Sequence, residues 1–297
     1  MALKKIYLAV NPHGGMEKGR GILELVKPVF HDNGVELKVL ETEYPGHAQE
    51  MINTMDFEEV DGFCAIGGDG TFHEVVNGLL TRKDKKQVPI GLIPGGSGNS
   101  FMHTVECLDP VEAAKRIVSG NTIPVDVAEV KSGKELIYSI NIIGWGLVTD
   151  IGITAENYRW LGESRYTIIA MLEIFRLKQR SATLIMDGTE EKSDFTFIMA
   201  LNTKHTGKGM YAAPKAKLDD GLIDLIIVRE KGKMKLLNLL PKIFDGTHID
   251  SEIVEYYQVS RFSLIPDENE PLNIDGEITG NTPIEVKMIP GCFQFLN

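Results

Sequence analysis

Residues 67–71 read Gly-Gly-Asp-Gly-Thr and follow the compact apolar run 62–66 (Gly-Phe-Cys-Ala-Ile). Val75, Val76, Leu79 and Leu80 then recur with the spacing of one helical face. Glycines let a backbone come close to a phosphate and leave amide N–H groups free to point at it. A helix with Thr71 as its N-cap adds the partial positive charge of its N-terminus. Gly67, Gly68 and Gly70 can therefore hold an anion by amides and dipole, without the lysine of a Walker A loop. Asp69, at the centre, would repel that anion. It makes chemical sense if it handles Mg2+ or takes a proton from an attacking hydroxyl, so the loop is predicted to serve phosphoryl transfer.

Four further stretches carry chemistry-bearing types or a turn signal. Pro94-Gly95-Gly96-Ser97-Gly98-Asn99 precedes another helix-like segment and suits a second phosphate or adenosine cradle. Asn11-Pro12 ends the apolar run 5–10 and reads either as a turn or as Asn11's amide set on a nucleotide phosphate. Asp275 and Glu277 flank Gly276. In a strand they would share a face, where two carboxylates need a common cation or proton. One of them near Mg2+ or an acceptor hydroxyl is the functional reading, and an exposed strand end the bland one. Residues 217–224, with Asp220-Gly221, carry a hairpin-turn signal.

The elements that must position these residues change character along the chain. Over the first ~120 residues strand-like runs (5–10, 35–40, 62–66, 88–93) alternate with helical patterns, which predicts a mostly parallel sheet with helices on both faces. One helix is read from Ile22, Leu25, Val26, Val29 and Phe30, another from Ala48, Met51, Ile52 and Met55 after Gly46. Beyond about Thr122, β-rich segments follow one another between turn residues, which predicts an antiparallel sandwich or barrel. Helical insertions near 155–179 and 233–245 interrupt it. The predicted division is residues 1–123, an α/β domain, and 124–287, a β-sandwich, with the boundary where the texture changes.

The 297 residues carry a net charge of −11, which argues against nucleic acid as a partner, since phosphate-backbone affinity needs clustered Lys and Arg. Three cysteines without metal-like spacing argue against a zinc site or disulfide framework and point to a reducing compartment. The N-terminal apolar run reads as a first strand and not a signal peptide, and no apolar run reaches the ~18 residues of a membrane span.

Taken in order, these blocks resemble the catalytic domain of diacylglycerol kinases and of sphingosine and ceramide kinases. Asn11–Gly15 (NPHGG), Thr42–Ala48 (TEYPGHA), the glycine block 67–79, Ile93–Phe101 (IPGGSGNSF), Trp145–Tyr166, Ala213–Leu225 and Asn273–Glu277 (NIDGE) match nearly the whole chain. The resemblance implies a phosphofructokinase-like, nucleotide-binding α/β domain (1–123, with 288–297 returning to it) followed by an antiparallel, lipid-binding β-sandwich (124–287), with ATP and Mg2+ in the cleft between them. By motif position the nucleotide would touch Asn11, Gly15, Thr42, Gly68, Gly70, Thr71, Glu74, Gly96 and Ser97, beside Gly67, Gly95, Asp275 and Gly276. Asp69 and Glu277 are both offered as general base, with Asp69 favoured in sphingosine-kinase-like members. The carbonyls of Lys217 and Leu222 with Asp220 would form a structural Mg2+ site, an oxygen set suited to a hard cation.

The acceptor block implies substrate contacts at Asp150, Arg159 and Arg165. It also departs from the sphingosine-kinase pattern, in which two acidic residues are spaced Asp-x-Asp. Asp150 fills the first position and Gly152 the second, which weakens the case for a cationic sphingoid base and leaves neutral ceramide or diacylglycerol. The implied activity is phosphorylation of the primary hydroxyl of a sphingoid base or ceramide, with diacylglycerol as the alternative acceptor. The expected setting is cytoplasmic with transient peripheral membrane contact, for which the lysine-bearing apolar stretch 231–244 is suited; a homodimer is an allowed assembly. The competing readings are an NAD kinase, which shares GGDGT, and a catalytically silent nucleotide- and lipid-binding module.

Overall fold

The computed structural model describes residues 3–12, 19–158, 165–207 and 209–297. It divides into two compact units: Met1–Asp126 with Gly207–Gly209 and Pro290–Asn297, and Val127–Thr206 with Met210–Ile289.

In the first unit strands and helices alternate as β1 (Lys5–Val10), α1 (Gly19–Asp32), β2 (Glu36–Glu41), α2 (His47–Thr54), β3 (Gly62–Gly67), α3 (Asp69–Leu80), β4 (Ile90–Pro94), α4 (Ser100–Thr104) and α5 (Pro110–Ser119). The strands lie in the order β2-β1-β3-β4, all parallel. β3 and β4 are buried along their whole length, as central parallel strands must be, whereas β2 is half-exposed at the edge. The predicted parallel sheet is thus present. In α1 the buried stripe is Ile22, Leu23, Val26 and Phe30; Leu25, expected inside, points to solvent at 61% exposure and Leu23 takes the inward position. α5 is stopped at both ends by its own sequence. Asp109 caps it by accepting from Glu112 N at 2.8 Å, Pro110 opens it, and Gly120 closes it at φ +71°.

An aromatic cluster ties the glycine-loop helices to the rest of this unit. Phe72 of α3 and Phe101 of α4 have ring centroids 4.7 Å apart, and Phe295 stands edge-on to both at 5.8 and 4.8 Å. Phe293 packs edge-on to Phe72 at 6.1 Å. Phe295 also pairs, in parallel, with Ile90 of β4. All four rings are buried.

The second unit holds β5 (Thr122–Ser132, from Val127 onward), β6 (Glu135–Ser139), β7 (Ile142–Gly146), α6 (Leu147–Glu156), α7 (Arg165–Phe175), β8 (Arg180–Met186), β9 (Thr189–Phe195), β10 (Phe197–Leu201), β11 (Ile223–Val228), α8 (Lys233–Leu239), β12 (Val254–Val259), β13 (Arg261–Pro266), β14 (Pro271–Ile274), β15 (Glu277–Asn281) and the first part of β16 (Ile284–Leu296). One antiparallel sheet runs β12-β11-β10-β7-β14-β15. The other joins β16, β13, β8 and β9, with β5 and β6 alongside. Alternation along the strands explains the sandwich. On β10, Ile198 and Ala200 enter the core between the sheets with Trp145, Phe195 and Leu225. Phe197, Met199 and Leu201 face the other way, into a second core closed by Leu147, Ile174, Leu236 and Leu239 of the helices. Both faces of β10 are therefore buried, which is why it reads as an unbroken apolar run.

The segment 256–265, read as one β-rich stretch, is divided at Ser260 between two strands in different sheets. β9 (Thr-Glu-Glu-Lys-Ser-Asp-Phe) was not anticipated: it is a polar, mostly exposed edge strand, the type that resists further pairing and lacks an apolar pattern. The first helical insertion starts at Leu147, earlier than expected, and residues 159–164 within it lie outside those described.

Candidate active site

β3 ends at Gly67, and α3 begins at Asp69 with Gly68 as its extended N-cap. The helix thus starts before Thr71, which is not the cap. Asp69 and Gly70 occupy its first turn, and the Thr71 side chain packs on Gly67, where an added Cβ would come within 2.5 Å of it. The second glycine loop lies directly against the first. A Cβ on Gly68 would meet Gly96 Cα at 2.9 Å, and one on Gly96 would meet Gly68 Cα at 2.4 Å. Only glycine fits at either position, so two backbones meet in direct contact at the end of the sheet. Gly95 N donates to Gly67 O at 2.8 Å, and Asn99, left-handed at φ +54°, locks the loop: its Oδ1 accepts from Gly96 N at 3.0 Å and its Nδ2 donates to Gly96 O at 2.9 Å. Ser97 is exposed at the tip.

Asp69 is half-buried at this rim. Its Oδ2 accepts from the Ser100 hydroxyl at 3.0 Å and its Oδ1 from Phe101 N at 3.3 Å. Ser100 Oγ is also 3.2 Å from the Gly207 carbonyl. Asn99 and Ser100 were not singled out from the sequence; an Asn after Gly, able to adopt a positive φ, was the available signal. Asn11 N donates to Ile66 O at 3.3 Å, and Thr42, nearly buried, donates through its N–H to Val10 O at 2.9 Å. Asn11, Thr42, Gly67 and Gly95 therefore cluster at the carboxyl ends of parallel strands, where α/β sheets bind ligands. Gly15 lies outside the described residues.

Glu74 holds the loop before α2. Its Oε1 accepts from Gly46 N at 2.8 Å and its Oε2 from Ala48 N at 3.1 Å, so it caps α2 from the neighbouring helix. Both oxygens are engaged, and the loop 42–47 takes its position from them. Glu74→Gln puts an NH2 against one of these donors. It is expected to cost about 1–3 kcal/mol of stability and to raise the KM for ATP more than it lowers kcat, as read by urea unfolding and steady-state kinetics.

In the second unit Asp275 and Glu277 do not share a strand face. Asp275 (φ +52°) and Gly276 (φ +95°) form the two-residue turn between β14 and β15, and Glu277 opens β15 facing solvent. This is the primed hairpin turn that Asp-Gly favours. The Asp275 side chain turns inward: Oδ1 accepts from Ser139 Oγ (2.8 Å), Asn141 N (2.8 Å) and Ile142 N (3.0 Å), and Oδ2 from Ile140 N (3.0 Å). At 4% exposure Asp275 is an anchor for the hairpin.

Asp150, on α6, is held by a partner that sequence reading missed. Arg180 Nη2 donates to both its oxygens at 2.9 and 2.8 Å, while Arg180 Nε donates to Glu270 at 2.7 Å. Burial pushes the Asp150 carboxyl above its ordinary range, with Arg180 pulling the other way. Arg159 and the side chain of Arg165 lie outside the described residues.

Lys217, Asp220 and Leu222 line one cavity of about 590 Å3, and Asp220 Oδ1 accepts from Leu222 N at 3.1 Å. Asp224 lies fully buried close by. Its Oδ1 accepts from Tyr256 Oη (2.6 Å) and Gln258 Nε2 (3.1 Å), while its Oδ2 has no hydrogen-bond partner among the described residues. Among those residues no cluster of three or more His, Cys, Asp or Glu occurs, so a cation here would rely on carbonyl oxygens. Asp220 and the carbonyls of Lys217 and Leu222 are hard oxygen donors of the kind Mg2+ takes.

A glycine-loop α/β unit on a parallel sheet followed by an antiparallel sandwich is the architecture of the ATP-dependent lipid kinases to which two family profiles and solved structures point. The profile described as "Diacylglycerol kinase catalytic domain" matches residues 5–130, and that described as "YegS C-terminal NAD kinase beta sandwich-like domain" matches 141–297. The chain belongs to the diacylglycerol kinase catalytic-domain family. Sphingosine kinase 1 of Arabidopsis thaliana is 33% identical, over 93% of this chain and 68% of its own length. The diacylglycerol kinase of Bacillus subtilis is 27% identical over 95% and 93%. A solved diacylglycerol kinase from Bacillus anthracis str. Sterne superposes with a TM-score of 0.82 at 25% identity, covering 100% of this chain and 98% of that one. Among the described residues no helix is long and apolar enough to cross a membrane.

Proposed function

We propose that this lipid kinase transfers the γ-phosphoryl group of ATP to the primary hydroxyl of a sphingoid base or ceramide. The observation that carries the phosphoryl-transfer chemistry is the contact of the Gly68 and Gly96 backbones, with the Asp69 carboxylate at their rim. The amides of Gly68, Gly70, Thr71 and Ser97 bind the phosphates, helped by the N-terminus of α3; the Gly96 N–H is held by Asn99, and Gly96 contributes close backbone approach. Asn11 and Thr42 border them, and Glu74 positions the loop after β2. Asp69, oriented by Ser100 and the Phe101 amide, accepts the proton of the attacking hydroxyl as general base. Glu277 is the second carboxylate of the reading, presented by the hairpin that Asp275 anchors. Mg2+ carried with ATP supplies charge neutralisation on the phosphate oxygens. Lys217, Asp220 and Leu222 would hold a structural Mg2+.

The sphingolipid acceptor is supported by the names of the Arabidopsis relatives and of a sphingoid long chain base kinase from Schizosaccharomyces pombe, 30% identical over 97% of this chain. Diacylglycerol is the second reading, and Gly152, which lacks the carboxylate that would clasp an ammonium, favours it. Contact with a membrane surface accompanies either acceptor. The deciding experiment is a radiolabelled-ATP assay against sphingosine, ceramide, diacylglycerol, monoacylglycerol and NAD. Phosphate is expected in a lipid and not in NAD; label in NAD alone overturns the reading.

A further inference from the structure

Gly152 stands in α6 two residues after Asp150. A Cβ at Gly152 would lie 3.1 Å from Asn273 Nδ2 and 3.4 Å from Ile278 Cδ1. With glycine there, no side chain from position 152 covers the Asn273 amide. That amide has a fixed orientation. Its Oδ1 accepts from Gly276 N at 3.0 Å, and the flipped orientation would set two donors against each other. Nδ2 is therefore turned toward α6, on a half-buried side chain, with no hydrogen-bond partner among the described residues. A half-buried donor with no acceptor is a feature a ligand can satisfy.

The surrounding carboxylates sharpen its meaning. Asp150 has both oxygens on Arg180, and Asp275 is turned into the sandwich. Glu277 is solvent-facing at the start of the next strand. At the Asn273 amide itself an ammonium would meet a neutral N–H donor and would itself be a donor. A carbonyl oxygen would meet its complement. Ile153 and Ile278, each 38% exposed, add apolar surface on the same two elements.

We propose that Asn273 is a specificity-determining binding residue, whose Nδ2 donates to an acyl carbonyl oxygen beside the lipid's primary alcohol. The enzyme then takes a neutral, acylated head in preference to a protonated free sphingoid amine. Ceramide, through its amide carbonyl, and diacylglycerol, through its ester carbonyl, share that chemistry. The inference rests on the lipid-kinase reading and narrows its acceptor.

Asn273→Asp tests it cleanly, because aspartate keeps an oxygen for Gly276 N and replaces the outward donor by an acceptor. Gly152→Ala is the second variant; it lays a methyl group over Nδ2 in a helix that accepts alanine. Short-chain ceramide, short-chain diacylglycerol and sphinganine are assayed separately with each enzyme. Wild type is expected to favour one of the two acylated lipids, and which one identifies the carbonyl as amide or ester. In Asn273→Asp, kcat/KM for that lipid should fall about tenfold, chiefly through KM, with the KM for ATP unchanged. Sphinganine should gain relative to it by about tenfold or more, as its ammonium meets a carboxylate. Gly152→Ala should weaken the acylated lipid in the same direction. An active wild type whose acceptor ratio neither variant alters overturns this inference alone. So does an equal loss on all three lipids together with a raised KM for ATP and a lowered Tm, the signature of a merely structural Asn273. A wild type that phosphorylates none of the three overturns the kinase reading as well.

Discussion

Asp69→Asn is expected to lower kcat by about 10²–10⁴-fold, the usual worth of a positioned general base, while ATP still binds. The carboxylate is well placed for a clean substitution. Asparagine keeps an oxygen that can accept from Ser100 Oγ or Phe101 N, so α4 and the second glycine loop should stay where they are. The amides proposed to bind phosphate are main-chain groups and do not change. What disappears is the basic oxygen and its negative charge. Turnover measured with radiolabelled ATP, beside ATP affinity by calorimetry, separates the two effects. Full turnover in the variant would remove Asp69 from the chemistry and leave Glu277 as the base. A protein that binds ATP and lipid but shows no turnover to lose would be a binding module.

The largest effect on stability is expected from Asp275→Ala. Removing this carboxylate strands three backbone amides (Ile140, Asn141 and Ile142) and the Ser139 hydroxyl, all previously satisfied by one side chain at 4% exposure. Each buried donor left without an acceptor costs about 1–3 kcal/mol, so the sandwich should lose about 4 kcal/mol or more. Urea unfolding followed by circular dichroism measures it. Activity should fall because the β14–β15 hairpin, with Asn273 and Glu277, loses its anchor. Lost activity with unchanged stability would mean instead that Asp275 acts on a ligand directly.

Much of this was legible from residue order. The glycine blocks pointed to the two loops, and alternating strand and helix signals pointed to the parallel sheet. The β-rich second half pointed to the sandwich. What escaped had identifiable physical causes. The direction of a side chain at a turn is set by a positive φ, so the carboxylates of Asp275 and Glu277, read as neighbours on one face, part company at the hairpin. The Asp-Gly turn signal was there to be weighed and was applied only at Asp220-Gly221. Arg180 reaches Asp150 across the fold, a pairing no local pattern announces. The bonds from Gly46 N and Ala48 N to Glu74 join the start of α2 to α3, a pairing that the local motif does not announce. β9 is invisible to hydrophobic periodicity because it is an edge strand built from polar residues.

Phe293 and Phe295 bring a last consequence. They complete the aromatic cluster around Phe72 and Phe101, and Phe295 pairs with β4. On the ribosome, β4 and both glycine loops emerge long before those two rings do. Until translation reaches them, the nascent α/β unit carries an open flank on β4 and an unfilled socket beside Phe72, while the whole sandwich is still being made. The glycine-loop unit thus waits for residues made after the sandwich before its aromatic cluster can close.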